Sequence, residues 1–168
     1  MIFCLLLPFF SAAQDIFLQR AQGSFQCEES LAEQQRKKDA ALKKTLSKTS
    51  IVIRHLAASR LKDKPNLCAR YTFSTKDKEM KVQCDDKPKI TLMLDGTPTS
   101  YPTKKGKISV IATISENRIK QSFEGDKGGL TVEYIFEADH LRVVKTISSR
   151  YLGAPLVLDT RYGPSPKK

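Results

Sequence analysis

Lys145 and Gln121 are the residues whose type is least expected where they stand. Each occupies a position in a run where apolar residues otherwise recur at every second place. An ammonium beside an amide on an apolar face could receive the acidic head of an amphipathic molecule. Burying such an ammonium without a counter-charge is costly. The competing reading, which the residue pattern favours, is that Lys145 lies at a rim and reaches water along its flexible stem.

Other chemistry is sparse. His55 and His140 have no Cys, Asp or Glu at metal-ligand spacing and belong to no nucleophile motif. The sequence contains no G-x-S-x-G, phosphate-binding loop or dinucleotide fingerprint. Paired carboxylates for acid–base work are absent from the apolar-face positions, so the reading is of a non-enzyme with no cofactor, no metal and no specific nucleic-acid partner.

The cysteines are Cys4, Cys27, Cys68 and Cys84. No CxxC spacing suggests a metal site. Alternation around the hairpin that carries Cys68 and Cys84 puts Cys84 on the face of Tyr71 and Phe73 and Cys68 on the other face, a poor geometry for a bridge. Cys27–Cys84 is therefore preferred. Cys68–Cys84 is the alternative, requiring a slip or bulge, and reduced thiols are a third.

These residues must be positioned by strands. From Ile108 to Tyr162, five runs alternate apolar and polar residues: Ile108–Ile114, Ile119–Phe123, Leu130–Phe136, Leu141–Ile147 and Leu156–Tyr162. Such a period of two places alternate side chains on one face of a strand. Short polar turns pair Ile114 with Ile119, Phe123 with Leu130, Phe136 with Leu141 and Ile147 with Leu156. That register aligns Ala112, Gln121, Val132, Lys145 and Leu158 on one rung.

Upstream, Ala69, Tyr71 and Phe73 alternate, then Met80, Val82 and Cys84, around a turn at Thr75-Lys76-Asp77-Lys78. Pairing Phe73 with Met80 sets Tyr71 opposite Val82 and Ala69 opposite Cys84. Ile90, Leu92 and Leu94 form a further strand ending at Asp95-Gly96, and Thr97–Lys107 reads as a polar loop. The expected fold is mainly β, an antiparallel up-and-down meander of about eight strands curled into a barrel or half-barrel. Eight strands enclose space for side chains or one small ligand, and sequence does not separate a filled barrel from a hollow one.

Ser30-Leu31-Ala32-Glu33 has the capping-box form that opens a helix, continuing to about Leu46 with a thin apolar side. Ile53, Leu56, Ala57 and Leu61 predict a second helix over Ser50–Leu61. The helical segment thus spans about 30–62, ahead of strands over about 68–162.

At 168 residues the chain suits one domain. Ile2 to Phe10 is an apolar run followed by Ser11-Ala12-Ala13, which fits an export signal over residues 1–13 and a single domain over 14–168. An exported location, periplasmic or secreted, would permit disulfides. The net charge is +11, concentrated between residues 36 and 64, where ten Lys or Arg stand against Asp39 and Asp63. Arg36, Lys37, Lys43, Lys44 and Lys48 are candidates for weak contact with anionic membrane surfaces, or simply a solvated helix face.

Lys87-Pro88-Lys89-Ile90-Thr91 leading to Asp95-Gly96-Thr97-Pro98, then Phe123-Glu124-Gly125-Asp126, Leu141, and Leu152-Gly153-Ala154-Pro155-Leu156 ending near Arg161-Tyr162, resembles a group of uncharacterised exported bacterial proteins with a lipocalin-like (calycin) β-fold. The likeness covers roughly residues 50–162. The Gly-x-Trp common in lipocalins is absent; Phe25-Gln26-Cys27 stands where it would fall. The resemblance implies a fold and an exported location, and no established activity. With the apolar inner face it directs attention to a small apolar or amphipathic ligand held among Lys145, Gln121, Tyr134, Val132, Leu158, Tyr71 and Phe73. The alternative is an envelope-associated interaction protein with a filled barrel.

Overall fold

The alternation of Ile108–Tyr162 becomes five long strands, and five more complete the sheet. The computed structural model describes residues 12–49, 54, 68–103, 106–125 and 128–166. Most of the expected signal segment, the bulk of the second expected helix and His55 lie outside the described residues. In chain order the elements are α1 (Ala12–Arg20), β1 (Gly23–Cys27), α2 (Leu31–Ser47), β2 (Arg70–Lys76), β3 (Glu79–Cys84), β4 (Ile90–Met93), β5 (Thr99–Thr103), β6 (Gly106–Ser115), β7 (Arg118–Gly125), β8 (Gly128–Phe136), β9 (Leu141–Ser149) and β10 (Leu156–Pro164).

All ten strands form one antiparallel sheet in the order β4-β3-β2-β1-β10-β9-β8-β7-β6-β5. Its two edges approach each other. An isolated bridge joins Asp95 to Thr113, and the Thr99 hydroxyl lies 3.0 Å from the Thr91 carbonyl oxygen. No ladder links β4 to β5, so the barrel is nearly closed.

Among the described residues the count is ten strands, not eight. β1 pairs with both β2 and β10. β5 falls where a polar loop is expected, with Pro102 opposite Lys107. An edge strand tolerates proline because one side of its backbone has no ladder to supply.

The register of the meander agrees at each hairpin: Ile114 with Ile119, Phe123 with Leu130, Phe136 with Leu141 and Ile147 with Leu156. The rung Ala112-Gln121-Val132-Lys145-Leu158 is present. The β2–β3 hairpin differs. Asp77 adopts a left-handed φ of 54°, and the turn tightens until Lys76 pairs with Glu79. Phe73 then pairs with Val82, and Tyr71 with Cys84. This slip by two residues preserves which side chains share a face.

Ser30 caps α2, its hydroxyl accepting from the Glu33 amide at 3.2 Å. The helix buries Leu42 and Leu46 against Leu156 and Leu158 of β10. Its buried stripe also carries Gln34, Lys38 and Thr45, whereas Leu31 is 72% exposed. The Thr45 hydroxyl donates to the Pro155 carbonyl at 3.2 Å. Gly153, in the β9–β10 turn, sits so near the Lys48 carbonyl that a Cβ there would collide with it.

α1 seals the opposite end. Phe17, Leu18 and Ala21 are buried in the barrel core. Phe17 meets Phe136 edge-on at 5.5 Å between ring centroids, and Phe136 in turn meets Phe73 and Phe25. Edge-to-face contact is the favoured geometry for such rings. These rings pack on one another, and Phe17, Phe25 and Phe136 also border an open cleft of about 1130 Å³ beside α1.

Candidate functional site

The half of the barrel away from α1 holds a cavity of about 180 Å³. β2 and β3 supply Tyr71, Val82 and Cys84, β7 Gln121 and Phe123, β8 Leu130, Val132 and Tyr134, and β9 Lys145 and Ile147. It runs from exposed Lys87 and Pro88 down to Gln121, whose side chain is 0% exposed.

Strand pairing places the polar groups. Gln121 and Lys145 share the Val132 rung because each pairs with Val132 from opposite sides of β8. The Tyr134 hydroxyl donates to Gln121 Oε1 at 2.9 Å. That bond occupies the amide oxygen and leaves Nε2, a buried donor, without a hydrogen-bond partner. Buried donors are normally paired, so an unpaired one lining a cavity marks a place for an acceptor.

Lys145 is half-buried at its surface, and its ammonium lies within the barrel. Nζ stands 5.7 Å from the centre of the Tyr71 ring and 3.9 Å from Cys68 Sγ. Removal from water lowers its pKa to about 8; the nearby Lys87 adds to the shift and Asp85 opposes it. Burial also raises the Tyr71 and Tyr134 phenols, keeping both protonated as hydrogen-bond donors. The described residues of the site thus present a cation and an orphan amide donor above an apolar floor.

The bridge is Cys68–Cys84, with Cα atoms 5.5 Å apart, and Cys27 is a free thiol. This corrects the preferred Cys27–Cys84 pairing. Cys68 precedes the ladder, which ends at Arg70. There the Arg70 amide donates to Asp85 Oδ1 and the Asp85 amide to the Arg70 carbonyl, both at 2.8 Å. Alternation therefore does not govern where Cys68 points. The Cys27 sulfur accepts from Gln34 Nε2 at 3.1 Å, and burial raises its pKa. Cys68, Cys84 and Asp85 lie within metal-ligand reach of one another, but the bridge leaves no thiolates to ligate.

Of the residues singled out by sequence, Lys145, Gln121, Tyr134, Val132 and Tyr71 line this one cavity. Phe73 does not line it and packs against Phe25, Tyr134 and Phe136. Leu158 packs on α2. Lys87, Pro88 and Tyr101 were not anticipated, because loops and the unforeseen β5 carry them and no alternation marks them. Val82, Ile90, Phe123, Leu130 and Ile147 were legible as inner-face positions.

The basic candidates Arg36, Lys37, Lys43 and Lys44 on α2, and Lys48 at its C-cap, are all exposed. Arg36 pairs with Glu33 and Lys37 with Glu29, each at 2.7 Å. A wider cleft of about 510 Å³ separates α2 from β10, but charged pairs line it, Lys37 with Glu29 and Arg142 with Asp159. No helix among the described residues is long and apolar enough to cross a membrane.

No protein-family profile matches the chain, and no curated protein matches it by sequence. Solved structures do. A Schistosoma mansoni fatty-acid-binding protein in complex with arachidonic acid aligns with a TM-score of 0.55 at 14% identity, covering 89% of this chain and 98% of that one. Zebrafish ileal bile-acid-binding protein complexed with cholic acid aligns at 0.50 and 12%, covering 87% and 99%. A secretary abundant heat soluble protein from Ramazzottius varieornatus aligns at 0.56 and 9%, covering 87% and 96%. At these identities the likeness is one of fold: a calycin-type barrel.

Proposed function

We propose that this protein is a carrier, not an enzyme, that holds a small amphipathic anion in the open half of its barrel. The observation that carries this reading is the fully buried Gln121 amide, whose Nε2 donor has no hydrogen-bond partner and whose side chain lines the same cavity as Lys145. A carboxylate head accepts from both donors, and charge-assisted bonds of this kind are the stronger class. Val132, Leu130, Phe123 and Ile147 offer the apolar contact for the rest of the molecule.

The cavity lies below the roughly 300 Å³ at which small-molecule pockets usually begin, which favours a short ligand or one whose tail leaves past Lys87 and Pro88. The fatty acid and bile acid in the similar barrels belong to the same chemical class. The carrier is read as exported. The apolar run before Ala13 supports this, as does a disulfide, and removal of residues 1–13 would retain Phe17 and Leu18 in the plug. Extraction of the purified protein followed by native mass spectrometry tests the reading: a bound carboxylic acid is expected, and a protein that neither carries nor takes up such acids would refute it.

A second reading rests on the exposed cations Lys43 and Lys44 of α2 and Lys48 at its C-cap. These would give weak contact with anionic lipid. Binding to anionic vesicles that fades with salt would support it, and equal binding to neutral vesicles would refute it.

A further inference from the structure

Two lysines bracket the disulfide at the cavity wall. Lys145 Nζ lies 3.9 Å from Cys68 Sγ, and Lys87 Nζ lies 3.5 Å from Cys84 Sγ. Both sulfurs line the cavity with both lysines. Cys68 is buried, while Cys84 is part-exposed next to the exposed Lys87 and 3.8 Å from Asp85 Oδ2, a carboxylate that partly offsets the two cations. A disulfide sulfur is a weak acceptor that gains little from an adjacent ammonium. A thiolate gains much more, because a nearby cation stabilises it and lowers the thiol pKa.

We propose that Cys68–Cys84 is a reducible site activated by Lys145 and Lys87, and that its opening discharges the anion site of the barrel. The second half of this proposal rests on the carrier reading. A thiolate of a small thiol such as glutathione attacks the accessible Cys84 sulfur. The Cys68–Cys84 bond breaks, and Cys68 leaves as a thiolate against Lys145. A second thiol attacks the external sulfur of the mixed disulfide, releasing Cys84 as a thiolate against Lys87 and one oxidised thiol dimer. Two electrons pass to the protein, and two thiols are oxidised to one disulfide. Lower leaving-group pKa speeds the first step, and stabilised thiolates pull the equilibrium toward the reduced form.

The consequence for binding is electrostatic. In the oxidised protein the ammoniums of Lys145 and Lys87 face the cavity as cations. Reduction adds a thiolate beside each lysine, on top of the Asp85 carboxylate already near the pair. A ligand carboxylate then competes with a covalently tethered thiolate, and affinity falls without any change of fold.

The experiment has two arms. In the first, the full chain is equilibrated at pH 7.5 with glutathione buffers, and thiols are counted by alkylation and mass spectrometry, in wild type, Lys87→Met, Lys145→Met and the double variant. Lowering both thiol pKa values by more than a unit makes the wild-type reduction constant about tenfold larger than that of the double variant, or about 30 mV in potential. Agreement of wild type and double variant within twofold would overturn the proposal. Lys87 is exposed, so its variant gives a readout even where Lys145→Met perturbs folding.

In the second arm, anilinonaphthalene sulfonate serves as the anionic apolar probe of oxidised wild type, reduced wild type and a Cys68→Ser/Cys84→Ser variant. Reduction is expected to weaken binding at least tenfold. The serine variant, which lacks the bridge but bears no thiolates, is expected to stay within threefold of oxidised wild type. Equal loss in the serine variant would overturn the electrostatic coupling and show a merely structural bridge. If oxidised wild type does not take the probe, the carrier reading and the coupling both fall, and the redox arm still decides whether the site is lysine-activated.

Discussion

The Tyr134 hydroxyl donates to Gln121 Oε1 at 2.9 Å inside the barrel, and this bond sets the direction in which the Gln121 amide presents its hydrogens. Tyr134 stands opposite Ile119, one turn of the pleat from the Gln121–Val132 pair. The phenol consumes the acceptor end of the amide and leaves the donor end for whatever enters the cavity. Loss of one partner strands the other, whereas loss of both removes the stranded groups together. Tyr134→Phe is therefore expected to cost about 1 kcal/mol and Gln121→Leu a similar amount, while the double variant costs less than their sum. Denaturant unfolding of all four proteins measures the coupling; simple additivity would show that the bond does not orient the amide.

Lys145 is held at an energetic cost. Its pKa near 8 in the fold lies below the 10.5 of the free side chain, so the unfolded chain binds more protons between those values. Stability contributed through this group is lowest below pH 8 and rises as pH climbs toward 10.5. Lys145→Met is expected to stabilise the unliganded protein at pH 7 by on the order of 2 kcal/mol, a figure reduced from the full shift because the side chain is part-exposed. The variant should also flatten the rise between pH 8 and 10. Equal or lower stability of the variant at pH 7, judged by urea midpoints, would contradict this account.

The same titration predicts the pH dependence of binding. An anion needs the protonated ammonium, which the empty site loses above about pH 8. Affinity for an anionic probe is expected to be level from pH 6 to 7.5 and to fall about tenfold by pH 9. The fall should vanish in Lys145→Met. Fluorescence titration across this range checks it, and a wild-type profile flat to pH 9 would place the recognition elsewhere.

The plug offers a test of the fold. Phe17 is buried against Phe136 at 5.5 Å. Phe17→Ala is expected to cost about 3–5 kcal/mol through lost burial and the cavity left behind. It should leave anion binding intact in protein that stays folded, because Phe17 does not line the ligand cavity. A loss under 1 kcal/mol on thermal unfolding would show that α1 does not seal the barrel.

Much of this arrangement was legible in the residues. The rung from Ala112 to Leu158 follows from alternation because each turn in the meander is short and polar and a slip would turn apolar residues outward. Other parts obey forces that alternation does not record. β5 escaped because Pro98 and Pro102 read as a loop, although an edge strand accepts Pro102. The β2–β3 register slipped because Asp77 takes a left-handed conformation that residue type alone does not demand. The disulfide does not follow the alternation because the ladder stops at Arg70, before Cys68. The packing of α2 is partly hidden because three of its five buried residues are Gln34, Lys38 and Thr45. Phe17 and Leu18 gave no signal, since a plug is defined by where a short helix lands, not by its own pattern.

The central claim is that Lys145 and Gln121 read an acidic head inside the barrel. The most direct measurement is calorimetric titration of delipidated wild type and Lys145→Met at pH 7 with octanoate and with octanol, which differ in the head alone. The predicted result is octanoate binding to wild type at least tenfold tighter than octanol, with that preference abolished in Lys145→Met. Equal affinity for acid and alcohol, an octanoate affinity unchanged in the variant, or no binding of either molecule would contradict it.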